Sequence, residues 1–286
     1  MRLGGVDDWF AGWHKLDESV VEQLVALGFS GMGMHYHGDP LEQPLAQALR
    51  ARNLLTDNGI ELVQFWGAYP AIISRDDSVR QEGIRICRNV IRRAAELGAH
   101  MASLRPTSMY PGYQWAPHAD NFLPETEERL VRSLAEIGEE AARRQMPVAM
   151  ECHLTTTLGE PAKIRCIIER SNPDWIGVNA DIVNFVGNLA SVYDTTAVID
   201  NYLDELGPWV RAAHLKDVTV GEQLVLHIEE TVPGSGFFDW DHFFRRFEAL
   251  LPEGFGLIEH LTRLEDVRQA RDFVVARLAQ LDIAIR

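Results

Sequence analysis

Eight short apolar runs alternate with amphipathic stretches along the whole chain, and this alternation limits the fold more than any other feature. The runs span residues 3–6, 31–35, 61–66, 101–105, 147–151, 176–181, 211–216 and 256–259. Each has the length and composition of a strand buried on both faces. Between them, apolar residues recur at helical spacing, as in Val20, Val21, Leu24 and Val25, in Ile84, Val90, Ile91 and Ala94, and in Leu130, Leu134, Ile137 and Ala141. Gly28, Gly59 and Gly98 stand where helices should stop before the next strand, because glycine accepts the left-handed conformation of a helix C-terminus. Eight βα units in 286 residues predict an α/β fold, a single (β/α)8 TIM barrel, with one domain over residues 1–286. The alternative, an open doubly wound sheet, would usually carry a glycine-rich phosphate loop after its first strand. Here that strand leads into Asp7-Asp8-Trp9-Phe10.

Four of the runs end on residues that a strand interior does not tolerate. They are Glu151 after Val148-Ala149-Met150, Asp181 after Val178-Asn179-Ala180, His214 after Arg211-Ala212-Ala213 and Glu259 after Gly256-Leu257-Ile258. Burying an unpaired charge is costly. In a barrel the C-terminal strand ends converge on one mouth, so these four can meet around one ion. Two Glu, one Asp and one His make an oxygen-rich set with one nitrogen, which suits a divalent metal: Mn²⁺ first, with Mg²⁺, Co²⁺ and Zn²⁺ as alternatives. A cation lowers the cost of grouping three carboxylates; without it, repulsion would keep at least one protonated. The competing reading explains each residue separately, as a cap, a loop carboxylate or an ion pair. Four in register on successive strands weigh against it.

Charge and cysteine usage narrow the partners. The chain has 27 Lys and Arg against 42 Asp and Glu, a net charge of −15. Such a field repels a polyanionic strand, so no nucleic-acid partner is expected. Cys87, Cys152 and Cys166 are odd in number and widely spaced, which fits reduced thiols in a cytoplasmic protein. The first residues lack the apolar core of a signal peptide. No run approaches the ~20 apolar residues that span a bilayer, so no membrane partner is expected either.

On these residues the chain resembles the xylose isomerase-like superfamily of barrels, often described as sugar phosphate isomerases and epimerases. The resemblance spans essentially the whole chain. It rests on Glu151, Asp181, the His214-Leu215-Lys216-Asp217 run, the Val232-Pro233-Gly234-Ser235-Gly236 loop and the Ile258-Glu259 ending. It implies that Glu151, Asp181, His214 and Glu259 bind one metal, and that Glu151 and Glu259 carry a proton to and from a keto sugar during enolisation. Tagatose and psicose 3-epimerases have a His three residues after the Asp ligand and an Arg six residues after the His ligand, both on substrate oxygens. Asn184 and Val220 occupy those positions here, which makes Asn184 a substrate-binding candidate and weighs against an ordinary free-ketohexose epimerase. The Glu151-x-His153 pair is also similar to the metal-bearing subunit of C-glycoside deglycosidases. That likeness implies a lyase on a 3-keto glycoside with His153 as base; an inosose-type dehydratase is a further lyase alternative. A non-catalytic sugar- or metal-binding barrel is the remaining reading. A multi-zinc endonuclease built from His35, His37, His153, His214 and His260 conflicts with the negative charge.

Several residues complete the expected site. His153 lies two positions after Glu151 and points to the same side if the strand continues, as acid, base or supporting hydrogen-bond partner. Lys216 shares a face with His214 and would hold a substrate oxygen or an ion pair. Arg105 ends the fourth strand before a proline and would bind a hydroxyl, carboxylate or phosphate, or pair with an acid. His35 and His37 end the second strand and would line the pocket, with a second metal as the alternative. Trp9, Trp13, Trp66 and Trp115 lie on or near strand-end loops, where flat faces suit a sugar or a flavonoid-like ring. The long connections 105–125 and 218–239 fall on the active face of a barrel. The expected partner is a small-molecule keto sugar or glycoside, with room for a homo-oligomer or a small partner subunit.

Overall fold

The apolar runs pair as parallel strands, and the helices between them carry the chain back across the outside. A computed structural model describes residues 1–10, 12–105 and 107–286. Among these are the strands β1 (Arg2–Val6), β2 (Gly31–His35), β3 (Glu61–Trp66), β4 (Met101–Leu104), β5 (Val148–Met150), β6 (Ile176–Ala180), β7 (Val210–Leu215), β8 (Asp217–Val220), β9 (Ile228–Thr231) and β10 (Phe255–Ile258). Eight of them close a parallel barrel in the order β1-β10-β7-β6-β5-β4-β3-β2. The sheet therefore has no open edge, which excludes the doubly wound alternative. All eight expected strands are present, each bound within one residue of its expected position.

Nine helices are described: α1 (Glu18–Ala26), α2 (Leu45–Thr56), α3 (Asp77–Leu97), α4 (Pro124–Arg144), α5 (Pro161–Ser171), α6 (Leu189–Tyr193), α7 (Thr195–Leu206), α8 (Trp240–Leu250) and α9 (Leu264–Gln280). Their ends follow local chemistry. Asp17 accepts from the Val20 amide at 3.0 Å to start α1, and Asp76 accepts from the Ser78 amide at 2.8 Å to start α3. Gly28, Gly59 and Gly98 take φ of 70°, 76° and 67°, the left-handed stops that the sequence pattern predicts. No helix among the described residues is long and apolar enough to cross a membrane.

Two apolar cores result. The larger lies between the barrel and its helices and includes Leu24, Ile84, Ile137, Ile167 and Phe244. The smaller fills the barrel interior with Val6, Val63, Trp66, Met101, Phe255 and Leu257. Each such side chain, once fully buried, contributes about 1.5–3 kcal/mol. Gly31 is required by this interior: a Cβ there would collide with the Phe255 ring and a Val63 methyl. The filled interior closes the barrel below and leaves polar strand ends at the mouth.

One element departs from expectation. The connection 218–239, expected as a long irregular loop, contains the antiparallel hairpin β8–β9, paired from Asp217↔Thr231 to Val220↔Ile228. Asp217 anchors the loop behind it. It is fully buried, and its Oδ1 accepts from the amides of Val218 and Phe238. Its Oδ2 accepts from the amides of Gly234 and Gly236 and from Trp240 Nε1. Gly236 is obligatory, because a Cβ there would strike the Asp217 carboxylate. The last residue of the His-Leu-Lys-Asp run is thus a brace for the loop.

Candidate functional site

β5, β6, β7 and β10 are consecutive staves of the barrel, so their C-terminal ends face one side of the mouth. Glu151, Asp181 and Glu259 each follow the last residue of their strand, and His214 is the penultimate residue of β7, opposite Leu257 of β10. All four side chains are buried.

Asp181, His214 and Glu259 form the tight part of the set, each offering a ligand atom within 4.8 Å of the others. Asp181 Oδ1 is buried without any partner, whereas His214 Nδ1 and Glu259 Oε1 are engaged only by ion-pair contacts, with Glu259 Oε2 and Lys216 Nζ. Buried polar atoms are normally satisfied, so the orphaned Asp181 Oδ1, beside two atoms held only by charge, marks a place for a further positive group. The other imidazole nitrogen is committed: His214 Nε2 faces Gln64 Oε1 at 2.9 Å, while Gln64 Nε2 donates to Asn179 Oδ1 at 2.9 Å. That chain makes Nε2 the protonated nitrogen and leaves Nδ1 for a cation, the usual support behind a metal-binding histidine. The donor set fits a divalent ion.

Protein cations hold the same carboxylates. Lys216 Nζ lies 2.7 Å from Asp181 Oδ2 and 2.5 Å from Glu259 Oε1, while its side chain is 2% exposed. His214 Nδ1 lies 2.8 Å from Glu259 Oε2 and 3.5 Å from Asp181 Oδ2. Burial pulls the His214 pKa down, but the carboxylates of Glu259 and Asp181 more than offset this and raise it to about 10.

Glu151 stands apart from the trio. Its Oε1 accepts from Trp115 Nε1 at 3.3 Å. Glu151 and Glu259 line one cavity of about 380 Å³ together with His35, His37, Arg105 and Trp115. The two glutamates differ in electrostatics. Burial raises the Glu151 pKa; Lys216 opposes this, and the Glu259 and Asp181 carboxylates add to it. Glu259 is equally desolvated, but His214 and Lys216 overcome burial and hold it well below the usual carboxylate range. Environments that drive two carboxyls apart are the pattern of an acid and a base in one site.

The remaining expected residues divide between this cavity and others. His35 faces the cavity with its ring fixed: Nδ1 lies 2.7 Å from Asp7 Oδ1, and its amide donates to Asp7 Oδ2 at 3.0 Å. Asp7, Asp8 and His35 form a second group with ligand atoms within 4.8 Å of one another; His37 lies outside it. Trp66 stacks on His35 at 4.5 Å between ring centroids and lies 5.8 Å from the His214 ring, so it is a buried wall of the site. Asn184 donates to Asp181 Oδ2 at 2.8 Å and to the Cys152 carbonyl at 3.1 Å, which fixes the Asp181 carboxylate. His153 lines a different cavity, with Asn184 and Glu230, and its Nδ1 contacts Thr155 Oγ1 at 2.7 Å. β5 ends at Met150, so the two-residue alternation expected to aim His153 beside Glu151 no longer holds there. Trp13 packs under the α2 side of the barrel. His260 has φ of 59° and contacts Glu230 of the hairpin at 2.8 Å, tying β9 to the end of β10. Gln64 and Asp7 were not among the expected residues. Gln64 does carry a sequence signal, as a lone amide inside Leu62-Val63-Gln64-Phe65-Trp66.

A parallel eight-stranded barrel with acidic and imidazole side chains on consecutive strand ends defines a class of mouth-site barrels. Within it, the chain belongs to the xylose isomerase-like TIM barrel family, which residues 21–276 match. It is 31% identical over 216 residues to L-ribulose-5-phosphate 3-epimerase UlaE of Escherichia coli O1:K1 / APEC, covering 72% of this chain and 68% of that protein. A solved D-tagatose 3-epimerase-like protein has the same fold, with a TM-score of 0.76 at 15% identity over 99% of this chain and 98% of that one. So does a xylose isomerase-like TIM barrel protein from Mycobacterium smegmatis in complex with magnesium, with a TM-score of 0.74 at 15% identity over 98% and 97% of the two chains.

Proposed function

We propose that this chain is a divalent-metal-dependent sugar epimerase or isomerase that moves a proton at the carbon beside the carbonyl of a keto sugar. The observation that carries the reading is the close set of buried ligand atoms on Asp181, His214 and Glu259, with Asp181 Oδ1 lacking any partner and Glu259 lining a cavity that Glu151 shares. Glu151, Asp181, His214 and Glu259 would hold the ion, with Mn²⁺ the first candidate. When bound there, such an ion supplies a Lewis acid that stabilises negative charge developing on the substrate oxygen.

The chain's own groups supply the rest. Glu259, whose pKa His214 and Lys216 hold low, suits the removal of a proton, whereas Glu151, whose pKa burial raises, suits its return. Trp115 steadies Glu151 through its indole N–H, and Gln64 and Asn184 fix His214 and Asp181. Lys216 balances the carboxylates and offers a donor to a substrate oxygen. The likeness to an L-ribulose-5-phosphate 3-epimerase supports epimerisation as the bond change. The separate cavity of His153 favours this reading over a lyase in which His153 is the base. The chain would act as one domain over residues 1–286.

The test is product formation. Protein stripped with chelator and then reloaded with Mn²⁺, Mg²⁺, Co²⁺ or Zn²⁺ is incubated with ketopentoses, ketohexoses, their terminal phosphates and 3-keto glycosides, and products are identified by NMR. Epimer formed only by metal-loaded protein supports the reading. Release of an aglycone, or dehydration, would replace it with the lyase.

A further inference from the structure

The acids that line the mouth cavity have protein partners, and its arginine has no acid. Asp7 is held against His35, Asp8 accepts from the His260 amide at 2.7 Å, and Glu259 is paired with Lys216 and His214. Arg105 lines the same cavity, yet no ion pair of this side chain occurs among the described residues, and its Nε is buried without a partner. Among the described residues, Arg52 and Arg211 also lack an acid and have a buried, unpartnered Nε, but Arg105 is the arginine that lines the mouth cavity.

The group is also held in place. The Arg105 carbonyl accepts from Tyr69 Oη at 2.9 Å, directly after β4. Its guanidinium carbon lies 5.4 Å from the Trp115 ring centroid, within reach of a cation–π contact. Trp115 is itself tied down: its carbonyl accepts from Thr155 Oγ1 at 2.7 Å, and its N–H reaches Glu151. One indole thus touches both an uncommitted guanidinium and the carboxylate proposed to move the proton. An arginine fork pre-arranged on an aromatic face is suited to a doubly bonded oxyanion.

We infer that Arg105 binds a terminal oxyanion of the sugar, a phosphate monoester or a carboxylate, and that Trp115 sets its distance from the reacting carbon. This rests on the keto-sugar reading and names the substrate class within it: an anionic open-chain ketose with its charge at the end remote from the carbonyl.

The experiment compares one ketopentose in three forms: unmodified, with a terminal phosphate, and with a terminal carboxylate. The wild-type protein, Arg105→Met and Arg105→Lys are assayed with each. The expected result is that wild type favours one anionic form in kcat/KM by about a hundredfold, the order of a lost bidentate charged pair. Arg105→Met collapses that ratio toward one, mainly through KM, and Arg105→Lys falls between. The preferred anion identifies its source as phosphate or carboxylate. An unmodified sugar preferred by wild type, or a ratio unchanged in Arg105→Met, overturns the inference. Calorimetric titration with inorganic phosphate and with acetate reads the anion site without turnover. If no sugar is turned over, the epimerase reading fails alone when wild type binds one of these anions and Arg105→Met does not. Absence of binding of both to wild type overturns the inference as well.

Discussion

Replacing Lys216 with methionine removes the ammonium that holds Asp181 and Glu259 together and keeps most of the side-chain volume. The Lys216 side chain is 2% exposed, and both carboxylates are almost fully buried, so solvent gives little screening. Removing one partner from such a pair costs about 3–5 kcal/mol. In a protein of this size each kcal/mol moves Tm by about 2–4 °C, so the metal-free variant should melt roughly 6–20 °C below wild type. A divalent ion replaces the lost charge and no longer competes with an ammonium for Glu259 Oε1 and Asp181 Oδ2. Mn²⁺ at a hundred times its Kd stabilises a folded protein by about 2.7 kcal/mol. At equal Mn²⁺ concentration, the variant should therefore gain more Tm than wild type does. Differential scanning fluorimetry of chelated and Mn²⁺-loaded protein reads both effects. A variant that loses stability but gains no more from Mn²⁺ than wild type would show that Asp181, His214 and Glu259 are not a cation site.

Three further outcomes follow from the same geometry. Gln64→Leu leaves His214 Nε2 and Asn179 Oδ1 without their partner, and it should weaken Mn²⁺ binding about 10–100-fold by equilibrium dialysis, the range for the support of a metal-binding histidine. In metal-free protein the folded His214 pKa of about 10 exceeds the ordinary imidazole value of 6.5. Its stabilisation is therefore complete below that value and lost as pH rises through about 10. Tm of the chelated protein should fall between these limits, the metal-loaded protein should show a flatter profile, and metal binding near pH 7 should release about one proton in calorimetry across buffers of different ionisation enthalpy. Asp217→Asn puts an amide donor among five N–H groups and should cost about 3 kcal/mol, with faster hydrogen exchange at the Gly234 and Gly236 amides.

The barrel was legible because each stave is a continuous apolar run, and parallel strands buried on both faces need no subtler signal. The β8–β9 hairpin was not, because Glu229 and Glu230 give β9 a polar, partly exposed pattern unlike the staves. Asp181, His214 and Glu259 could be grouped from sequence, since barrel closure brings neighbouring strand ends together. Glu151 came from the same logic but lies outside the trio, and its indole partner comes from the long loop after β4. His153 shows where period-two reasoning stops: the strand ends three residues earlier. The Gln64–His214 link crosses the barrel from β3 to β7 and emerges only from the closed register, while Asp7–His35 joins the paired neighbours β1 and β2 through a residue just past the strand end. Arg105 was visible as a candidate, but its lack of an acid partner is a property of the folded surroundings.

The joint action of Glu151 and a bound divalent ion on a carbon-bound proton is the step on which the proposed function depends. It is tested most directly by incubating Mn²⁺-loaded protein in D₂O with the panel of keto sugars and following deuterium at the carbon beside the carbonyl by NMR. Wild type should form epimer labelled at that carbon, chelation should abolish it, and Glu151→Gln should form labelled epimer about a thousandfold more slowly, within the range for an acid–base group. Labelled epimer formed undiminished by Glu151→Gln or without metal, or no labelled epimer from any sugar with any of the four metals, would contradict that role.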